Sequence, residues 1–196
     1  MIVVSDTSPL NYLILAGCID VPPRVFGQVY APSSVVVELT HEHSPVTVRQ
    51  WATSPPEWLA IKEPAAIDPA LNLDPGETAA IALADELKTD RIIIDERDGR
   101  DIAKQRGLSV VGTLSVLNEA AELDLIDLPR VIERLRASNF HVSEKLIEHI
   151  LQLDRNRKES REQESQSGEG VSQREKACEP VSTTVRSFPS STCGAW

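Results

Sequence analysis

Cysteine is scarce in this chain: three residues among 196, at positions 18, 178 and 193. That number and spacing exclude a disulfide framework and a multi-cysteine zinc site, and fit a reducing, cytoplasmic setting. Aromatic residues are equally sparse, at 4%. A core must therefore be built from Val, Ile, Leu and Ala, which the 41% apolar content allows for a domain of ordinary size. No apolar run is long enough to cross a bilayer; residues 92–94 have the length of a strand, so no membrane role is expected. No basic segment leading into a long apolar one stands at the N-terminus, so no signal peptide is expected.

Positive charge is also short. The net charge is −10, whereas nucleic-acid binders commonly present a basic face to phosphates. The deficit lies in residues 1–154, with 24 acids against 13 Lys/Arg; the last 42 residues are nearly balanced, at 6 against 7. Acids in such excess keep a small domain soluble. If several converge, they also demand a counter-ion.

Apolar periodicity stops near residue 155. Beyond it come Arg, Lys, Glu, Gln and Ser, then a Ser/Thr-rich end with Pro180 and Pro189. Such a segment has little to bury against its ordering entropy, so 155–196 is predicted to be a disordered tail and 1–154 the domain.

Within 1–154, short apolar runs alternate with helical patterns. Strands are predicted at 2–5, 28–30, 58–62, 91–94 and 109–111. Helices are predicted at 9–16, 33–39, 46–52, 74–87, 99–106, 113–123, 129–137 and 144–153, with Gly17 and Gly107 as stops. Nearly continuous apolar strands separated by helices specify an α/β fold with a parallel sheet covered on both faces.

In such a sheet ligands bind beyond the carboxyl ends of the strands, where strand order reverses. Asp6 follows the first strand directly. Asp95 follows the fourth, and Asp98 comes three residues later. Glu38 lies one turn into the helix after the second strand, and Glu77 opens the helix leading to the fourth. Each has a local alternative: Asp6, Asp95 and Asp98 suit caps or turns, Glu77 stands at capping-box spacing from Asp74, and Glu38 suits a solvated helix face. Asp6 has the weakest alternative, because an acid beside a buried central strand is costly without a partner. Acids gathered on one edge raise one another's pKa, and a hard divalent cation with oxygen ligands relieves that.

These residues carry a family likeness. Val4-Ser5-Asp6-Thr7-Ser8-Pro9-Leu10, the segment 32–39 with Glu38, Leu73-Asp74-Pro75-Gly76-Glu77, and Ile94-Asp95-Glu96-Arg97-Asp98-Gly99-Arg100 followed by Gly112-Thr113-Leu114 resemble PIN domains. Their order and spacing are similar to the branch related to VapC toxins, over roughly residues 1–150. The resemblance implies a three-layer PIN-like fold with a five-stranded parallel sheet flanked by helices. It also implies a Mg²⁺- or Mn²⁺-dependent ribonuclease acting on single-stranded RNA. Asp6, Glu38 and Glu77 match the first three acids of the family, and either Asp95 or Asp98 the fourth, with Asp6, Glu77, Asp95 and Asp98 as metal ligands. Gly99 departs from the pattern, standing where many toxins of this group have Phe. Arg97 and Arg100 flank the acids as candidate phosphate contacts, and solvated surface is the competing role for both. The four histidines, at 41, 43, 141 and 149, show no ligand spacing tied to the acids.

The implied partners are RNA and, for a toxin, a small antitoxin. The apolar faces of the last two helices (Val131, Leu135, Leu146, Ile150) offer a homodimer surface if they are not consumed inside the domain. The rival reading is a catalytically weak or inactive PIN-like module acting in regulation or interaction. A haloacid-dehalogenase-type phosphohydrolase also places Asp after the first strand, but needs a second Asp two residues on, where Ser8 stands.

Overall fold

The computed structural model describes residues 1–68 and 71–175, with side chains through 164. Its elements run β1 (Val3–Ser5), α1 (Thr7–Leu15), α2 (Val21–Phe26), β2 (Val29–Ala31), α3 (Ser33–Leu39), α4 (Val46–Ala52), β3 (Leu59–Ile61), α5 (Pro75–Leu87), β4 (Arg91–Ile93), α6 (Arg97–Gln105), β5 (Val110–Val111), α7 (Thr113–Glu122), α8 (Leu128–Arg136) and α9 (Glu144–Glu175). The five strands form one sheet in the order β3-β2-β1-β4-β5, and every pairing is parallel. The α/β expectation holds.

Side-chain alternation along each strand divides the interior. Val3 and Ile93 join a large cluster with Leu10 and Leu13 of α1, Leu117 of α7 and Ile132 of α8. Val4, Ile92 and Ile94 point the other way, to Ala80, Ile81, Leu83 and Ala84 of α5 and Ala103 of α6. Two apolar layers explain why these strands read as unbroken hydrophobic runs. Gly17 and Gly107 sit just past α1 and α6 at φ +68° and +78°, the left-handed turn that lets the chain leave a helix without a Cβ clash.

Three expectations change. Helix α2, with Pro22 and Pro23 in its first turn, adds an element to those predicted; both residues tolerate the first turn, where no intrahelical N–H is needed. The surface proposed for a dimer is largely consumed: Val131, Leu135 and Ile150 are at most 7% exposed and belong to the first core, leaving Leu146 outside. Helix α9 continues to Glu175 rather than dissolving at 155. Arg, Lys, Glu and Gln are strong helix formers, and Arg157 is anchored to the Asn118 side chain at 2.8 Å and to Glu122 at 3.1 Å. Lack of apolar surface does not prevent a helix that starts from a packed segment. The chain separates into a compact unit at Met1–Arg157 and a remainder; residues 176–196, the rest of the predicted tail, lie outside the described residues. No helix among the described residues is long and apolar enough to cross a membrane.

Candidate metal centre

The chain moves outward from β1 to β2 and β3, then returns past β1 to β4 and β5. Strand order therefore reverses between β1 and β4, and the crevice beyond their carboxyl ends is the expected ligand position. Asp6 stands there. Its backbone N–H donates to the Ile93 carbonyl at 2.9 Å, tying it to the end of β4. It occupies the N-cap position of α1, yet its side chain makes no cap bond. Only 2% of the residue is exposed, and Oδ1 is buried without a hydrogen-bond partner. Burial pushes its pKa well above the ordinary aspartate range; the Thr7 backbone N–H opposes this, and the charges of Glu96, Glu77 and Glu38 reinforce it.

Glu77 comes from the first turn of α5. The capping-box expectation is half realised. Its carboxylate accepts from the Asp74 backbone N–H, but the Asp74 side chain makes no cap bond in return. Oε1 of Glu77 is buried and unpartnered, like Oδ1 of Asp6. Burial first, then the charges of Glu96, Asp74 and Asp98, raise the Glu77 pKa to about 7.

The third acid is Glu96, which sequence reasoning passed over in favour of its neighbours. Asp6, Glu77 and Glu96 each place an oxygen within 4.8 Å of the other two, the one such acidic, His or Cys group among the described residues. Glu96 is the N-cap residue of α6 and exposed, and the Ser8 hydroxyl donates to its Oε1 at 2.5 Å. Its signal was faint: a strand of three residues ends at Ile93, so the turn to α6 directs Asp95 one way and Glu96 the other. The ligand set is all oxygen, two of its atoms are buried and unsatisfied, and the like charges need a counter-ion. These features fit a hard divalent cation and not a thiolate- or imidazole-seeking one.

The remaining predicted residues take other positions. Glu38 is spent on the scaffold: Oε2 accepts from the Thr7 hydroxyl at 2.5 Å and Oε1 from the Gly76 N–H at 2.7 Å. It thereby ties the first turns of α1 and α5 together beside Asp6 and Glu77. A Cβ on Gly76 would lie 2.6 Å from Glu38 Oε2, which is why the turn before Glu77 carries glycine. Asp95 faces away from the cluster. Its Oδ1 accepts from the Thr113 N–H at 2.8 Å and its Oδ2 from the Thr113 hydroxyl at 2.5 Å, so it caps α7. Burial nevertheless raises its pKa, with the Thr113 bonds opposing. Asp98 is exposed and lines the cleft mouth with Glu77, Glu96 and Arg97. Of the two arginines, Arg100 donates to the Ile94 carbonyl at 2.9 Å, whereas Arg97 is exposed beside Asp101 at 3.8 Å.

Gly99, the departure from the family pattern, has a steric cause. A Cβ there would lie 2.5 Å from Ile94 Cδ1 and 2.6 Å from Glu77 Oε1. Ile94 is fully buried, so its side chain does not yield freely. Gly99→Ala is expected to lower stability by about 2 kcal/mol through overpacking, and to weaken Mn²⁺ binding by displacing Glu77. Thermal unfolding and calorimetric titration check the two effects, and unchanged Mn²⁺ affinity would contradict this account of the glycine.

A family model described as PIN domain matches residues 2–156, essentially the whole compact unit. No curated protein matches the chain. Among solved structures, a PilT N-terminus domain protein from the archaeon Sulfolobus solfataricus P2 is similar, at 15% identity and TM-score 0.40, covering 74% of this chain and 98% of that one. PIN domains are typically metal-dependent nucleases, and the carboxylate cluster described above is compatible with a divalent metal. The match across residues 2–156 places this chain in the PIN-domain family.

Proposed function

We propose that this PIN domain is a Mg²⁺- or Mn²⁺-dependent ribonuclease that hydrolyses phosphodiester bonds of single-stranded RNA, and that it serves as the toxin of a toxin–antitoxin pair. One observation carries the nuclease reading. Asp6 and Glu77 each bury a carboxylate oxygen with no partner, and both converge with Glu96 at the β1/β4 switch point. Stability alone gives no reason to bury like charges together, whereas a cation site does.

Asp6 and Glu77 would hold the ion from the closed side and Glu96 from the open side. A divalent ion held there would supply charge neutralisation at the scissile phosphodiester and a more acidic attacking water. Glu38 keeps the two helix starts at the spacing the ligands need, and the Ser8 hydroxyl orients Glu96. Asp98 and Arg97 stand at the cleft mouth, where Arg97 can meet an incoming phosphate. Asp95 acts through Thr113 and α7 as a positioning residue.

The expected result is that purified protein cleaves a single-stranded RNA with Mn²⁺, and that EDTA stops it. A protein that neither cleaves RNA nor gains thermal stability with Mn²⁺ would favour the inactive regulatory module instead. The toxin assignment rests on the resemblance and on an acidic domain that suits a small basic antitoxin; neutralisation of cleavage by a co-encoded small protein tests it.

A further inference from the structure

A second groove lies beside the acid site. Its walls are Thr7, Ser8 and Asn11 of α1, Val37 and Glu38 of α3, and the turn bearing His41 and His43. Three of these also organise the acids: Thr7 follows Asp6 and holds Glu38, and Ser8 holds Glu96. The groove therefore borders the acids through Thr7 and Ser8.

The two imidazoles lie with ring centroids 4.9 Å apart and planes 58° from each other, both exposed. The turn that carries them is ordered by its own hydrogen bonds. The His41 N–H donates to the Glu38 carbonyl at 3.1 Å, the Ser44 N–H to the His41 carbonyl at 3.0 Å, and the Ser44 hydroxyl to the Glu38 carbonyl at 2.9 Å. The turn is thus tied to the helix that carries Glu38, and the His43 N–H donates to Nδ1 of the His41 ring at 3.3 Å. Val37 adds apolar wall at 65% exposure. Asn11 is half-buried in the groove, and its side-chain amide has no hydrogen-bond partner among the described residues.

We propose that this groove receives the unpaired nucleobase flanking the scissile phosphate, with His41 and His43 forming the stacking surface and Asn11 reading a base edge. The inference rests on the nuclease reading and names how its substrate is held. The occupant follows from what the domain lacks. With 24 acids against 13 Lys/Arg in residues 1–154, contacts to phosphate cannot supply much RNA affinity, and base stacking is the interaction that does not need net positive charge. Unpaired bases splay onto aromatic rings, histidine included, and an amide offers both a donor and an acceptor to a base edge.

The test is binding of a short fluorescent single-stranded RNA by anisotropy in Ca²⁺, for the parent, His41→Ala/His43→Ala and Asn11→Ala. Loss of the stack is expected to weaken binding about tenfold. An abasic residue moved along the RNA should cost the parent about the same at one position, and the double histidine variant nothing further there. Equal affinity of parent and histidine variant, absence of RNA binding by the parent, or independence of the abasic position overturns the proposal. In any of these cases the groove would be left to a peptide of a protein partner. The nuclease reading stands or falls separately, on Mn²⁺-dependent cleavage of bis(4-nitrophenyl) phosphate, a phosphodiester with no base.

Discussion

Replacing Asp6 by Asn is expected to reduce Mn²⁺-dependent RNA cleavage by at least about 10³-fold, equivalent to roughly 4 kcal/mol of transition-state stabilisation. The same variant should fold, and without metal it should be no less stable than the parent. Apart from the Thr7 backbone N–H, Asp6 makes no side-chain cap bond with α1 and leaves Oδ1 unpartnered, so the carboxylate contributes little to the fold. Its charge costs stability instead, because burial and three neighbouring glutamates oppose ionisation. Cleavage assays beside thermal melts in EDTA separate the two effects. A variant that cleaves at the parental rate would remove Asp6 from the site, and one that unfolds would show that its role is structural.

The second large effect is a reversal of stability order on adding metal. Glu77 has its pKa raised from 4.5 to about 7 in the folded protein. A carboxyl whose folded pKa lies above its unfolded value is neutral at little cost at acid pH. Its penalty grows as pH rises from about 4.5 through about 7, where the unfolded chain has released the proton and the folded one still holds it. In EDTA, Glu77→Gln should match the parent near the acid end of that window and exceed it at pH 8. Full shielding would make the difference about 3 kcal/mol. Because Glu77 lines an open cleft, roughly 1–2 kcal/mol is expected, or a few degrees in Tm for a domain of this size. Saturating Mn²⁺ should invert the order, since an ion at 100 times its Kd stabilises the parent by about 2.7 kcal/mol and the variant by much less. Melts at pH 5 and pH 8, with EDTA and with Mn²⁺, check all four corners. A Glu77→Gln protein less stable than the parent at pH 8 in EDTA would show that Glu77 is held by contacts and not strained by charge.

Both effects depend on how acids a few residues apart in sequence are parted in space. Asp95, Glu96 and Asp98 are nearly equivalent on paper, each following the fourth strand. Their fates differ because the turn into α6 fans them out: Asp95 swings to the Thr113 N–H and hydroxyl, Glu96 joins Asp6 and Glu77, and Asp98 stays in solvent. No local pattern distinguishes a cap for a helix eighteen residues downstream from a metal ligand. Glu38 shows the same limit. Its helix position was legible, but its bonds to Thr7 and Gly76 link segments 31 and 38 residues away. Gly99 also makes sense only in three dimensions, since the atoms that exclude a side chain there belong to Ile94 and Glu77.

Hydrophobic periodicity by itself determined the parallel α/β architecture, five strands with helices on both faces, and it put Asp6 at the buried end of the first strand. Burial along a strand and amphipathicity along a helix are local properties that side chains declare in order. Only the tertiary structure decided which acids meet, that Glu96 and not Asp95 completes the cluster, and that His41 and His43 border the same crevice. Those outcomes depend on the angle at which each chain segment leaves the sheet, and packing from distant elements sets that angle. The acid immediately after the central strand was legible because its desolvation is unavoidable wherever the rest of the chain goes.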